Sequence, residues 1–153
     1  GYVHKAYPPI HAALCEKVGF NSSLLIRGVE GGVVPSLRQK GLMISYHKGV
    51  EKARVETDPK LLGINSELRA IAIPKEFKNG IERDLLAEYV VNLGRSALSG
   101  ESGIFYDGLV YSASLILWHL GKSKTLPAAA ERVREVLNSG KALNRLVTNN
   151  KSL

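Results

Sequence analysis

The residues best placed to do chemistry lie in one glycine-rich stretch, Arg27-Gly28-Val29-Glu30-Gly31-Gly32-Val33-Val34-Pro35-Ser36. It follows Ser23-Leu24-Leu25-Ile26, a short apolar run of the kind that forms a strand buried on both faces. An α/β fold places ligand-binding loops beyond such strands, and glycines let backbone N–H groups approach a phosphate. Gly28, Glu30, Gly31 and Gly32 therefore form the candidate ligand loop. The stretch lacks the lysine and hydroxyl of a P-loop and the spacing of a dinucleotide fingerprint. A turn that needs positive φ is the plainer account of the same glycines.

Acid-base and metal chemistry have less to draw on. His4, His11, His47 and His119 fall in different expected elements, with no spacing that puts two on one face, so no metal ligand is assigned. His11 stands one turn before Cys15, but a nucleophilic thiol needs a lowered pKa and an oriented base, and packing accounts for this cysteine. Asp107 opens an apolar helix, where compensation of the helix dipole explains it. No catalytic residue is assigned.

The elements that position the loop can be read from periodicity. Tyr7-Pro8-Pro9 reads as a helix entry and Gly19 as its stop. With an extended start at Tyr2-Val3-His4 and the run at 23–26, this predicts a βαβ unit, hence a parallel sheet. Leu42-Met43-Ile44-Ser45-Tyr46 and Ala53-Arg54-Val55-Glu56-Thr57 resemble a hairpin turning near Gly49, and Asp58-Pro59 opens a turn or a single helical turn. Leu68-Arg69-Ala70-Ile71-Ala72-Ile73 is a further strand candidate, ended by Pro74. From Ile81 onward the pattern is helical. Leu85, Leu86, Tyr89, Val90 and Leu93 mark an amphipathic helix. Residues from about Ile104 to Leu120 are apolar nearly all round and mark a central buried helix. Pro127 begins a third helix ending near Asn138, Ala142 to Val147 supply a last short one, and the tail from Thr148 reads as frayed. The fold class expected is α/β: a partial parallel sheet with a βαβ start, a hairpin, and a helical C-terminal half around a buried helix.

Composition agrees with a globular class. The chain has 153 residues, 44% hydrophobic and 23% charged, which suits one domain with a real core and argues against disorder. The longest charge-free stretch is too short and too polar to span a bilayer, so no membrane partner is expected. One cysteine excludes an internal disulfide and suits a reducing compartment, so the cytoplasm is the expected location. Gly1-Tyr2-Val3-His4 shows neither a charged leader nor a cleavage site, and the expectation is a chain that begins inside a structural element.

The net charge of +7 is segregated: residues 27 to 54 carry +4, residues 55 to 121 carry −3, and residues 122 to 153 carry +5. Two basic blocks flanking an acidic middle suit a cationic face for phosphates, while a solvated surface with a basic tail is the plainer account of them.

Three phrases and their order resemble the anthranilate phosphoribosyltransferase family, specifically the later half of its α/β domain. They are Gly1-Tyr2-Val3-His4, then Leu24-Leu25-Ile26-Arg27-Gly28-Val29-Glu30-Gly31, then Leu126-Pro127-Ala128-Ala129-Ala130-Glu131 through Leu137-Asn138-Ser139-Gly140-Lys141-Ala142-Leu143. The resemblance covers nearly the whole chain. It implies that residues 1 to 153 are the C-terminal portion of a phosphoribosyltransferase-like domain. The family's N-terminal helical domain and its pyrophosphate-gripping Gly-Thr-Gly-Gly-Asp type loop would lie in a missing upstream half. Magnesium and phosphoribosyl pyrophosphate are then expected only for an intact, active parent, with no cofactor in this chain. The family's Asp-Glu magnesium pair aligns with Val33 and Val34, and valines offer no oxygen to a hard cation.

That departure resembles a divergent branch of the family, some of whose members are dimers that bind nucleic acid without such transferase activity. A homodimer and nucleic acid are accordingly the implied partners. The nucleic-acid contacts expected are Arg27, Arg38, Lys40, Lys48, Lys52 and Arg54 from one basic block, and Lys122, Lys124, Arg132, Arg134, Lys141 and Arg145 from the other. The alternative is one part of a glycosyl or phosphoribosyl transferase, with Gly28, Glu30, Gly31 and Gly32 bordering the active site and Glu30 a displaced carboxylate. In neither case is the chain expected to catalyse by itself, because such transfer depends on the phosphate cradle.

Overall fold

Lys48 and Gly49 reverse the chain with both residues at positive φ, 47° and 70°. A two-residue hairpin turn demands that geometry, because its twist matches the twist of the strands it joins. The turn links β2 (Gly41–His47) to β3 (Val50–Thr57), with Met43 opposite Val55, Ile44 opposite Arg54, and an irregularity between Ser45 and Tyr46. β1 (Ser22–Ile26) pairs with the other side of β2, Leu25 opposite Ile44, giving the order β1-β2-β3 with β1 and β3 as edges. The computed structural model describes residues 1–72, 74 and 83–149.

All pairings are antiparallel, which corrects the expected parallel sheet and βαβ start. The apolar run at 23–26 does form a strand, but residues 27–40 return the chain to β2 as a loop, without the crossover helix that a parallel neighbour needs. The Arg27 N–H donates to the Leu42 carbonyl at 3.0 Å and carries the antiparallel ladder past the strand end. Tyr2-Val3-His4 is not a strand. A single bond, from the Tyr2 N–H to the Ile26 carbonyl at 3.2 Å, ties it beside β1. Residues 68–72 are also irregular, and Ile73 lies outside the described residues.

Period-two alternation splits the sheet between two cores. Leu25, Ile44 and Tyr46 pack with Tyr2 and with Ala12 of α1 (Tyr7–Lys17). Met43, with Leu24, Ile26 and Val55, faces the larger core built by the helices. The sheet is thus a middle layer, with α1 on one side and the helical half on the other.

That half comprises α2 (Arg83–Leu98), α3 (Ile104–His119), α4 (Leu126–Asn138) and α5 (Lys141–Asn149). α3 is central, as its composition predicts: Val110, Tyr111, Ser114 and Leu115 are each 0% exposed. It is not enclosed all round, since Ile116 and Leu120 are exposed. α2 also shows much of its apolar stripe, with Leu85, Tyr89 and Val90 exposed, and the residues at 81 and 82 lie outside the described ones. Thr125 caps α4 by accepting from the Ala128 N–H at 3.3 Å, and proline fills the first turn, where no N–H is missed. Asp58 likewise accepts from the Lys60 N–H at 2.9 Å to start the single 3-10 turn Pro59–Leu62, which delivers Leu62 and Ile64 to the core. Thr148, expected to be frayed, lies within α5, its hydroxyl donating to the Asn144 carbonyl at 2.7 Å. Among the described residues no helix is long and apolar enough to cross a membrane.

Candidate functional site

β1 delivers Arg27 to the rim of a cleft of about 450 Å³, lined also by Gly28, Ser36, Gln39, Lys40 and Arg69. Three cations converge there, and no carboxylate is in the lining. Neither Arg27 nor Arg69 has an ion pair among the described residues. Lys40 is committed in part, with Nζ 2.9 Å from Glu56 Oε1 and 4.0 Å from Asp58 Oδ2. The hydrogen bond and charge of Glu56 hold the ammonium above its usual range, so Lys40 stays cationic. Ser36 Oγ accepts from the backbone N–H groups of Gln39 at 3.1 Å and Arg38 at 3.4 Å, closing a turn that leaves its own proton free to donate.

The glycine loop builds this wall differently from the expected phosphate cradle. Its N–H groups turn inward: Val29 donates to the Val34 carbonyl at 2.8 Å, Gly31 to Gly28 at 3.2 Å, and Gly32 to Val29 at 2.9 Å. Gly28 is required for close approach, since a Cβ there would strike the Gly32 carbonyl and come 2.7 Å from the Val34 oxygen. Gly31 holds φ at 78°, and Glu30 adopts a left-handed φ of 53°. These three N–H groups are therefore committed within the loop, and the cations of the cleft come from side chains. Glu30 is exposed, as are Val33 and Val34. The valines supply no oxygen donor, so these two positions offer a magnesium ion no ligand. Among the described residues no three His, Cys, Asp or Glu side chains gather as a metal site.

No family model matches the chain. Over 134 residues it is 27% identical to an uncharacterized protein of Aquifex aeolicus (strain VF5), a match that covers 86% of this chain and 38% of that relative. The chain thus spans well under half of the relative's length.

The other expected contacts are dispersed. Arg38, next to Leu37 in the loop, bonds the Glu67 carbonyl through Nη1 at 3.3 Å and lines a neighbouring recess. Lys48 sits in the hairpin turn and Lys52 on β3, both exposed. Arg54 grips Glu51 with Nε and Nη2, at 3.0 and 2.9 Å. In the second block, Arg132 bonds the Lys122 carbonyl at 3.1 Å, and Arg134 joins Glu131 at 2.7 Å and the Leu62 carbonyl. Lys124, Lys141 and Arg145 are exposed. No hydrogen bond or ion pair among the described residues joins the two blocks, and Arg27 and Arg54 stand across the sheet from α4.

Arg69 is the cleft cation that sequence reasoning did not assign to a site; it read as part of a strand. His119 gained no role from spacing either, yet its Nδ1 lies 2.8 Å from Ser45 Oγ and its Nε2 3.3 Å from Ser22 Oγ. A histidine flanked by two hydroxyls and no carboxylate lacks the third group that orients a catalytic base, so the cluster reads as a half-buried tie between α3 and the sheet.

Proposed function

We propose that this chain is the C-terminal portion of a protein resembling the anthranilate phosphoribosyltransferase family, from its divergent branch, and that it binds nucleic acid through phosphates without catalysing transfer. The observation that carries the reading is the convergence of Arg27, Lys40 and Arg69 on a cleft lined by no carboxylate. Cations in such a concavity focus potential on a polyanion, and phosphate contacts supply affinity without reading sequence. The test is binding of a labelled single-stranded oligonucleotide followed by anisotropy as salt is raised. The logarithm of the affinity should fall with a slope of about −0.7 per phosphate neutralised. Arg27→Ala and Arg69→Ala should each make that slope shallower by about one such contact. Salt-independent binding, or variants with the parent slope, would overturn the reading.

The second reading, a glycosyl or phosphoribosyl transferase when full length, draws on the relative that extends far beyond the match. Glu30 would then border the active site. Release of pyrophosphate from phosphoribosyl pyrophosphate by the full-length protein with magnesium, lost in Glu30→Gln, would favour it; a full-length protein silent in that assay would dismiss it.

A further inference from the structure

Arg27 is also a wall of a second cleft, on the α1 side of the sheet, with a volume of about 220 Å³. Its floor is apolar, from Pro8, Leu42 and Ile44, and its rim carries Lys5, Arg27 and Arg54. Beside them lies Tyr2, 3% exposed, whose hydroxyl is buried and has no hydrogen-bond partner among the described residues. Tyr46 donates to Glu51 at 3.4 Å and Tyr106 to Asn138 Oδ1 at 2.8 Å, while the Tyr111 hydroxyl, enclosed in the main core away from any cationic cleft, is likewise without a hydrogen-bond partner among the described residues. A buried hydroxyl left unpaired costs about 1–3 kcal/mol, so an orphan facing a cationic cleft marks a missing acceptor.

The charges around it define that acceptor. Lys5 and Arg27 have no ion pair among the described residues. Arg54 spends Nε and Nη2 on Glu51 and keeps Nη1. Glu51 is the carboxylate of this neighbourhood, set against three cations. Burial pushes the Tyr2 phenol above its usual range, against the smaller opposing pull of Arg54 and Arg27, so the hydroxyl keeps its proton and can donate. The entry to α1 adds no donor, because Pro8 and Pro9 lack N–H groups and the Tyr7 N–H bonds the His4 carbonyl at 3.1 Å.

We propose that this cleft is a site for a single phosphate group, with the Tyr2 hydroxyl donating to a phosphate oxygen and Lys5, Arg27 and Arg54 balancing its charge. Lys5 and Arg54 are exposed, and their long side chains part to admit the anion to the hydroxyl. The phosphate belongs either to a small phosphate ester or to one position of a nucleic-acid backbone. The site shares Arg27 and Leu42 with the loop cleft, but Tyr2, Lys5 and Arg54 belong to it alone, so the failure of either leaves the other standing.

The experiment measures melting temperature with rising inorganic phosphate against sodium chloride of equal ionic strength, then with a short oligonucleotide. It compares the parent chain with Tyr2→Phe, Lys5→Gln and, as a control, Lys17→Gln. Tyr2→Phe keeps the ring and removes the orphan hydroxyl, so without ligand it should melt no lower than the parent. The parent should be stabilised by phosphate beyond the chloride control. Tyr2→Phe and Lys5→Gln should bind it about tenfold more weakly or worse, while Lys17→Gln, the same loss of charge at the far end of α1 and in neither cleft, keeps the parent response. A response to the oligonucleotide alone that Tyr2→Phe loses assigns the phosphate to a nucleic-acid backbone; a response to inorganic phosphate assigns it to a small ester. Equal responses in parent and Tyr2→Phe, or none in either, overturn the site and leave a hydroxyl that holds a structural water only.

Discussion

Ser45 Oγ on β2 and His119 Nδ1 at the end of α3 lie 2.8 Å apart, although the residues are separated by 74 positions in the chain. The other ring nitrogen lies 3.3 Å from Ser22 Oγ on β1, so one imidazole ties the helical half to two strands. Burial disfavours its charged form and lowers its pKa below the ordinary 6.5.

Stability should therefore fall on acidification through this group. The unfolded chain takes up its proton near 6.5, before the folded chain does, so protonation favours unfolding as pH drops below that value until the folded pKa is also passed. Above about pH 7.5 the group contributes no slope. Urea midpoints measured from about pH 8 to about pH 5 should decline below 6.5, and His119→Gln should flatten that decline. An unchanged profile in the variant would assign the pH dependence elsewhere.

The loop should not tolerate a single methyl group at Gly28. Its added Cβ would meet backbone carbonyls of Gly32 and Val34, which have no flexible end to swing aside. Gly28→Ala should reshape the 28–34 loop, visible as amide chemical-shift changes confined to it and its β1–β2 surroundings, and weaken oligonucleotide binding while the helical core stays folded.

The hairpin turn is open to improvement. Lys48 occupies the left-handed region at φ 47°, where asparagine is better accommodated, while Gly49 fills its own position well. Lys48→Asn should stabilise by about 0.5 kcal/mol and Gly49→Ala destabilise by about 1 kcal/mol, read from urea denaturation.

The central helix should carry the largest single-site cost. Leu115 is 0% exposed within the main core. Leu115→Ala should cost about 2–5 kcal/mol, lost transfer energy plus the cavity left behind. A loss below 1 kcal/mol would mean the neighbouring helices collapse into the space.

Much of this architecture is legible in local signals. Alternation in Leu42–Tyr46 and Ala53–Thr57 around Gly49 gives the hairpin, Asp58-Pro59 marks the turn after it, and Pro127 marks the start of α4. The direction of β1 is not legible, because Leu24-Leu25-Ile26 reads alike whichever way its neighbour runs; orientation is decided by the 27–40 loop. The clefts are hidden for a related reason. Arg27 meets Arg69 across the irregular stretch after the 3-10 turn, and meets Lys5 and Tyr2 through one backbone bond to Ile26, contacts that leave no periodic trace. The basic blocks show the opposite failure: clustered along the sequence, their side chains disperse in the fold, Arg27 and Arg54 to the α1 side of the sheet and Arg38 and Arg134 to the 59–64 turn.

The two edges of the sheet differ in what they present to a second molecule. β3 carries Glu51, Lys52, Arg54 and Glu56, charges that an incoming strand would have to desolvate. β1, Ser22–Ile26, carries none, and among the described residues its outer side is met by the single bond from Tyr2. The excess of seven positive charges keeps copies apart in dilute buffer. Physiological salt shortens that repulsion to a range of about 8 Å. Repulsion between copies therefore depends on ionic strength, and a strand added to this sheet would desolvate fewer charges beside β1 than beside β3.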